Sequence, residues 1–168
     1  MWDSTNTKSS IQSRLRTRFI GQQLHYYPTV TSTMDIARIL AREGAVEGTV
    51  VIAGTQTAGR GRLGRSWLSP EGSVALSVIL KPSPDNLPQL IMIASVAVVK
   101  VIKTVTGLDA QIKWPNDVLV KGKKVCGILI ENEVKGYEVD FAIIGIGINV
   151  SFDPTGFPEI SDIATSLS

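Results

Sequence analysis

Short apolar segments separated by tight turns fill the second half of the chain, and they restrict the fold more than any other feature. Ala110 to Trp114 and Val118 to Lys121 each predict a short strand. The turn Lys121-Gly122-Lys123 then leads into a predicted strand over Val125 to Glu131, and Tyr137 to Val150 predicts a last, long strand. Strands that follow one another through short turns pair antiparallel.

Two helices and two more strands are predicted ahead of this region. Apolar residues at helical spacing predict helices over Met34 to Glu43 and Leu87 to Val105. Buried strands are predicted over Thr49 to Ala53 and Ser73 to Lys81. The predicted fold class is therefore α+β, with a mixed, largely antiparallel sheet packed against helices.

Composition bounds the kind of domain. The 168 residues are 43% hydrophobic and 19% charged, which fits one folded domain that needs no disulfide or metal to hold it together. Residues 1–18 are predicted to be a polar leader or one short helix, residues 19–168 the domain itself, and residues 152–168 a loop. A single cysteine, Cys126, and a single histidine, His25, are too few for a zinc site and favour a reducing compartment.

Charge and hydropathy argue against two classes of partner. The net charge of +2 is too small to indicate nucleic-acid binding. The N-terminal Met1 to Ser13 lacks the apolar stretch of a secretory signal. The longest apolar run, Leu90 to Val99, is shorter than the roughly 20 residues of a membrane span. We therefore expect a cytoplasmic protein that binds neither nucleic acid nor membrane.

A segment rich in glycine and arginine, Thr55 to Ser66, is the strongest chemical signal. Its glycines match the dinucleotide pattern G-x-G-x-x-G, but the following Trp67-Leu-Ser-Pro70 is no helix start, and the Gly-Lys-Ser/Thr of a P-loop is missing. A flexible surface loop would explain the glycines but not three closely spaced arginines, Arg60, Arg62 and Arg65, beside a tryptophan. Because guanidinium groups bind carboxylate and phosphate, the segment predicts an anion site.

Three further segments admit both a structural and a functional interpretation. Lys113-Trp-Pro-Asn-Asp117 is an ordinary turn, or it converges with Lys124 on one site where lysines balance phosphate charge and an aspartate holds Mg²⁺. Thr31-Ser-Thr33 caps a helix, and its hydroxyls can also hydrogen-bond a neutral polar ligand. Gly145-Ile-Gly-Ile-Asn149 is a tightly packed core strand, or it marks the close approach of a ligand.

Together these segments resemble the biotin–protein ligase family, also called biotin–[acetyl-CoA-carboxylase] ligase. Gly59 to Trp67 looks like the family's biotin loop, and Lys113 to Asp117, Lys124 to Gly127 and Gly145 to Asn149 follow in the family's order. The resemblance implies the biotin/lipoate ligase-like catalytic fold and an ATP-dependent ligase. Biotin and ATP would give biotinyl-5′-AMP, and the biotinyl group would pass to a lysine of a biotin carboxyl carrier protein or domain.

The resemblance also implies a role for each matching residue. Those that would contact biotin are Ser32, Thr33, Met34, Gln56, Arg60, Gly61, Arg62, Lys124 and Gly127. Those that would contact ATP are Arg62, Arg65, Trp67, Lys113, Asn116, Asp117 and Asn149. The catalytic residues would be Lys124, Arg62, Lys113 and Asp117. Biotin and ATP would be substrates, and Asp117 would hold Mg²⁺ as the cofactor. Met34 stands where many members have asparagine.

Members of the family usually carry domains on either side of the catalytic one. A further helix and a small SH3-like C-terminal domain are expected to be absent from this chain, as is the N-terminal winged helix of repressor members. The expectation is therefore a ligase of the non-repressor type, with a homodimer left open.

Two alternative functions remain. A lipoate ligase or octanoyl transferase would share the fold, but a transferase of that kind needs a reactive cysteine. Cys126 lies between Val125 and Gly127 on an apolar strand, where a buried, inert thiol is expected. The other alternative is a biotin-binding module without catalysis.

Overall fold

Within residues 4–168, the part of the chain that the computed structural model describes, a seven-stranded sheet organises the fold. The helices are α1 (Ser4–Arg14), α2 (Thr33–Arg42) and α3 (Leu90–Thr106). The strands are β1 (Leu24–Val30), β2 (Val50–Gln56), β3 (Ser73–Leu80), β4 (Ala110–Lys113), β5 (Asp117–Val120), β6 (Lys123–Lys135) and β7 (Glu138–Asn149).

The strand order across the sheet is β1-β2-β3-β7-β6-β5-β4. The edge strand β1 runs parallel to β2, and every other pair of neighbours is antiparallel. The predicted α+β class, with a mixed and largely antiparallel sheet, is thereby confirmed. The long β6–β7 hairpin lies near the middle of the sheet and positions most of the site described below.

Helices α2 and α3 cover opposite faces of this sheet. Along β7, Phe141 and Ile143 pack in a cluster with α2, whereas Ala142 and Ile144 pack in a cluster with α3. Successive residues of a strand point to opposite sides, so the two clusters are separated by the sheet. We call these two sides the α2 face and the α3 face.

Two segments differ from the sequence prediction. The pattern does not predict β1, because Pro28 interrupts it, and a proline is tolerated there because β1 is an edge strand. The predicted loop over residues 152–168 is irregular apart from one 3₁₀ turn, Pro154–Gly156. It is nevertheless tied to the sheet by a parallel bridge between Ala164 and Lys124.

The apolar stretch around α3 is longer than the sequence run suggested. With the 3₁₀ turn before it, Pro84–Thr106 spans 23 residues and contains an 18-residue stretch with a mean hydropathy of 1.7, which by length and composition would suffice to cross a membrane. One side of α3, including Leu90, Val98 and Ile102, is buried against the sheet. Core helices meet the same criterion, so this helix is weak evidence for a membrane span.

Candidate functional site

A cavity of about 240 Å³ lies on the α2 face. Strands β6 and β7 form its floor, the start of α2 forms one wall, and the glycine–arginine segment covers it. It brings together most of the residues predicted from the sequence, namely Ser32, Thr33, Met34, Gln56, Arg60, Gly61, Arg62, Arg65, Trp67, Asn116, Asp117, Lys124 and Gly127.

Glycines make the cavity floor flat enough to seat large side chains. Gly127 and Gly147 are partners on neighbouring strands. A Cβ on Gly147 would lie 2.4 Å from the Trp67 indole, and one on Gly127 would lie 2.8 Å from it. A Cβ on Gly145 would lie 2.6 Å from the Met34 sulfur. These glycines therefore accommodate the protein's own side chains beside the cavity, and Met34 packs there as an apolar group.

Uncharged polar groups gather at the start of α2. The Gln56 Oε1 accepts hydrogen bonds from the Thr33 backbone N–H at 2.8 Å and from its hydroxyl at 3.1 Å. Ser77 donates to the same hydroxyl at 2.8 Å. Ser32 occupies the N-cap position, but its side chain makes no capping hydrogen bond, so the predicted hydroxyl cap is wrong there. Gln56 satisfies the first helical N–H instead.

The Ser32 hydroxyl is left for another partner. Among the described residues, Ser32 Oγ and Trp67 Nε1 are buried polar atoms with no hydrogen-bond partner. Buried polar atoms are almost always hydrogen-bonded in folded proteins. Both residues line the cavity, so a bound ligand with polar atoms would supply the missing partners.

The predicted glycine–arginine loop is a short hairpin. The Gly61 N–H donates to the Arg65 carbonyl at 2.7 Å, and the Trp67 N–H donates to the Gly59 carbonyl at 2.9 Å. Between these bonds Arg60 and Ser66 form an antiparallel bridge. We call residues 59–67 the arginine hairpin.

The tip of the arginine hairpin is a 3₁₀ turn, Arg62–Gly64, that carries an exposed apolar side chain. Leu63 has a φ of +58° and is 87% exposed. A left-handed backbone is costly for leucine, and such strain is commonly found at ligand-binding segments. Arg62 reaches from this tip across the cavity, where it donates to the Asn116 Oδ1 at 3.1 Å.

Lys124 and Asp117 form an ion pair next to Asn116, the residue that Arg62 contacts. The Lys124 Nζ lies 2.7 Å from the Asp117 Oδ1 and 5.3 Å from the centroid of the Trp67 ring. A cation over an indole face is favourable. The cavity thus has an uncharged hydrogen-bonding end near Ser32 and a cationic end that contains Arg62 and Lys124.

A β-bulge places Lys124 on the cavity side of β6. The register between β5 and β6 shifts, because Val118 pairs with Cys126 while Leu119 pairs with Lys124. Val125 is therefore an extra residue on β6. In a regular strand Lys124 would share a face with Cys126, in the core beneath α3. Bulges commonly re-aim a side chain in this way.

Two predicted site residues do not line the cavity. Lys113 is exposed at the end of the edge strand β4. Asn149 is buried, and its side-chain amide donates to the Thr165 carbonyl at 3.0 Å. The same terminal segment brackets Lys124, whose N–H donates to the Ile163 carbonyl at 2.8 Å and whose carbonyl accepts from the Thr165 N–H at 2.9 Å. This segment therefore supports the backbone of Lys124.

Sequence reasoning missed an ionic network beside the arginine hairpin. Glu131 and Glu133 on β6 pair with arginines of α2 and of the hairpin. A faint signal was available, because Arg38 and Arg42 are four apart on a helix and Glu131 and Glu133 are two apart on a strand. Such spacings place each pair on one side of its element.

Cys126 is buried and inert, as the sequence indicated. Its side chain is inaccessible, and burial raises the pKa of the thiol to about 12, against a smaller opposing effect of the Lys124 charge. A thiol of this kind is a poor nucleophile at neutral pH, because the thiolate is the reactive form.

Comparison with known proteins places this site in a family. Residues 26–149 match the sequence profile of the biotin/lipoate A/B protein ligase family, and the chain belongs to that family. The bifunctional ligase/repressor BirA of Bacillus subtilis is 48% identical over 166 residues, which cover 96% of this chain and 51% of that protein. A biotin–[acetyl-CoA-carboxylase] ligase of Mycobacterium tuberculosis is 33% identical and is covered over 65% of its length.

Solved structures show the same fold. The biotin protein ligase of Aquifex aeolicus in complex with biotin and ATP matches with a TM-score of 0.72 and 38% identity, over 87% of this chain and 60% of that one. The biotin protein ligase of Leishmania major in complex with biotinyl-5-AMP matches with a TM-score of 0.73 and 32% identity, over 87% and 63%.

The chain spans about half the length of the Bacillus relative, which is a repressor as well as a ligase. The expectation of a non-repressor type therefore stays a prediction, as do the domain boundaries and the homodimer.

Proposed function

We propose that this chain is the catalytic domain of an ATP-dependent biotin–protein ligase. One observation carries the proposal. A single cavity joins an uncharged hydrogen-bonding end, formed by Ser32, Thr33 and Gln56, to a cationic end that contains Arg62 and Lys124. Biotin has matching parts, because its ureido ring is neutral with donors and an acceptor, and its side chain ends in a carboxylate.

The first half-reaction joins two anions. The biotin carboxylate oxygen attacks the α-phosphorus of ATP, a C–O–P linkage forms, and the bond to the β-phosphate breaks to release pyrophosphate. Lys124 and Arg62 would offset the repulsion between the reactants and stabilise the charge that develops on the transferring phosphoryl group. The arginine hairpin would exclude water from the mixed anhydride product.

The second half-reaction transfers the biotinyl group to protein. The neutral amine of an acceptor lysine attacks the anhydride carbonyl, an amide bond forms, and AMP leaves as the amine loses a proton. We propose a biotin carboxyl carrier domain as the acceptor, which agrees with the name biotin–[acetyl-CoA-carboxylase] ligase of relatives. Asn116 beside Arg62 would help to position the nucleotide, whereas Lys113 and Asn149 would need a local rearrangement to reach it.

A resident metal has little support in the protein itself. In residues 4–168 there is no cluster of three or more side chains able to hold a metal ion. Among the described residues, Asp117 is the carboxylate that lines the cavity, and it is already paired with Lys124 at 2.7 Å. Mg²⁺ would therefore arrive with the nucleotide and share Asp117, where it would neutralise phosphate charge.

Biotin-dependent exchange of labelled pyrophosphate into ATP tests this function. A ligase catalyses exchange with biotin, whereas a non-catalytic module binds biotin without exchange. Calorimetry with biotin and lipoate tests the substrate, and lipoate affinity equal to or tighter than that of biotin would overturn the biotin assignment. An octanoyl transferase acting through Cys126 is disfavoured, because that thiol is buried and its pKa is raised.

We also propose a cytoplasmic location. The support is the lone, unpaired Cys126, which suits a reducing compartment. Localisation of a tagged full-length protein by fractionation tests it.

A further inference from the structure

The arginines of the arginine hairpin differ in their partners. The Arg60 guanidinium donates to both carboxylate oxygens of Glu131, at 2.8 and 3.0 Å, and to the Asp35 carboxylate at 2.9 Å. Arg62 donates to a neutral amide, that of Asn116. Two carboxylates thus compensate the charge of Arg60, while the charge of Arg62 remains available for an anionic ligand.

The partners of Arg60 lie on rigid elements. Asp35 is in the first turn of α2, and Glu131 is on β6. Glu131 is itself paired with Arg38 of α2. Partial burial alone would lower the pKa of Arg60, but the hydrogen bonds and charges of Glu131 and Asp35 outweigh that effect and raise it. The guanidinium therefore stays charged, and the two-oxygen contact with Glu131 is the strong geometry for such a pair.

Arg60 can transmit this anchoring to the rest of the arginine hairpin. It forms the bridge with Ser66, and the hydrogen bonds on either side link Gly61 to Arg65 and Gly59 to Trp67. The two arms of the hairpin are thus connected across Arg60.

We infer that Glu131 and Asp35 are positioning residues that hold the arginine hairpin over the cavity through Arg60. Neither residue lines the cavity. By keeping the hairpin closed they set how long a bound acyl-adenylate is retained, a consequence that rests on the proposed function. Arg60 accordingly anchors the arginine hairpin, whereas Arg62 binds the anionic ligand.

The chain offers a matched control. Glu133 lies two residues from Glu131 on the same side of β6 and pairs with Arg42 and Arg38 of α2. Within the described part of the chain it forms no ion pair or hydrogen bond with Arg60. A change at Glu133 weakens the same helix–strand network without touching the arginine hairpin.

Hydrogen exchange of the ligand-free protein is the first measurement. The Gly61 and Trp67 amides are hydrogen-bonded within the hairpin and report its opening. In Glu131→Gln their exchange should rise about tenfold, as expected for a charge-assisted pair that is partly screened by solvent. In Glu133→Gln it should match the parent. Unchanged exchange in Glu131→Gln, or an equal rise in both variants, would overturn the inference.

Release of biotinyl-5′-AMP, formed in place from biotin and labelled ATP, is the second measurement. Glu131→Gln should release it several-fold faster than the parent, and high salt should shrink the difference because it weakens the parent's ion pair. Equal release rates in Glu131→Gln and the parent would show that Glu131 has no role in retaining the adenylate. If the parent forms no adenylate while Gly61 and Trp67 exchange as expected, the proposed function fails and the anchoring role stands.

A conservative variant keeps the test independent of folding defects. Arg60→Lys retains the charge but not the planar fork that contacts both Glu131 oxygens and Asp35. Its exchange and release should lie between those of the parent and Arg60→Gln. Exchange in Arg60→Gln equal to that of the parent would show that Arg60 does not hold the hairpin.

Discussion

The two faces of the sheet differ in composition, because the α3 face is apolar and closely packed and the α2 face is polar and contains a cavity. On the α3 face, Val118, Val125 and Ile128 meet α3 in a continuous apolar cluster. On the α2 face the same sheet carries glycines and an ion pair, and the buried Ser32 hydroxyl and Trp67 indole N–H beside it lack hydrogen-bond partners. The comparison teaches that the apolar packing of the α3 face supplies stability, so that the α2 face can hold a cavity and charged side chains for a ligand.

The largest effect is expected from a cavity in the α3 face. Ile102→Ala removes a buried side chain, 1% exposed, and should lower the free energy of unfolding by about 2–5 kcal/mol. Val105→Ala, at a side chain 76% exposed on the same helix, should change it little. Urea unfolding gives both values, and calorimetry should find the biotin affinity of the folded variants unchanged. A large loss of biotin affinity in Ile102→Ala would mean that packing on the α3 face also determines ligand binding on the α2 face.

On the α2 face, Lys124→Ala should mainly affect chemistry. Loss of a cation at the reacting centre should slow adenylate formation on the order of 10²-fold or more in single-turnover assays. Lys123→Ala removes an exposed lysine next to it and serves as the control. If Lys124→Ala forms adenylate at the parent rate, the catalytic cation has to be sought among the hairpin arginines or at Lys113.

A smaller effect on stability and on biotin binding is expected from a substitution in the cavity floor. Gly147→Ala places a Cβ 2.4 Å from the Trp67 indole, which must move, and overpacking of this kind costs about 1–3 kcal/mol. Tryptophan emission should shift and biotin should bind more weakly. Gly156→Ala, whose added Cβ meets nothing within 4 Å, should leave both unchanged. An unshifted spectrum in Gly147→Ala would show that Trp67 does not rest on this floor.

The smallest expected effect is a loss of folding stability at high pH that comes from the Cys126 thiol. Its pKa rises from 9.0 to about 12 on folding, because burial disfavours the thiolate. Stability from this group is fully present below pH 9 and declines as the pH rises toward 12, since the unfolded chain ionises first. In the folded protein the thiol should resist iodoacetamide at pH 8, and in urea it should react. Rapid labelling of the folded protein would contradict its burial.

Local patterns predicted the elements better than the site. Apolar spacing predicted α2, α3 and six strands to within a few residues, because each pattern is contained in one segment of sequence. The partners of Arg60 are 25 and 71 residues away along the chain, and no local pattern links them. Lys113 is near Asp117 in sequence and pairs with it across β4 and β5, yet its side chain is exposed on the edge strand and does not line the cavity.

The bulge at Val125 decides on which side of the sheet the Lys124 ammonium lies. If the ladder between β5 and β6 were regular with Val125 retained, Val125 would take the place of Lys124 opposite Leu119. That one-residue slip would reverse the parity of this part of the strand and turn the Lys124 ammonium from the cavity into the apolar layer under α3. The irregularity in the hydrogen bonding is therefore a condition for having a charged residue at this point of the fold.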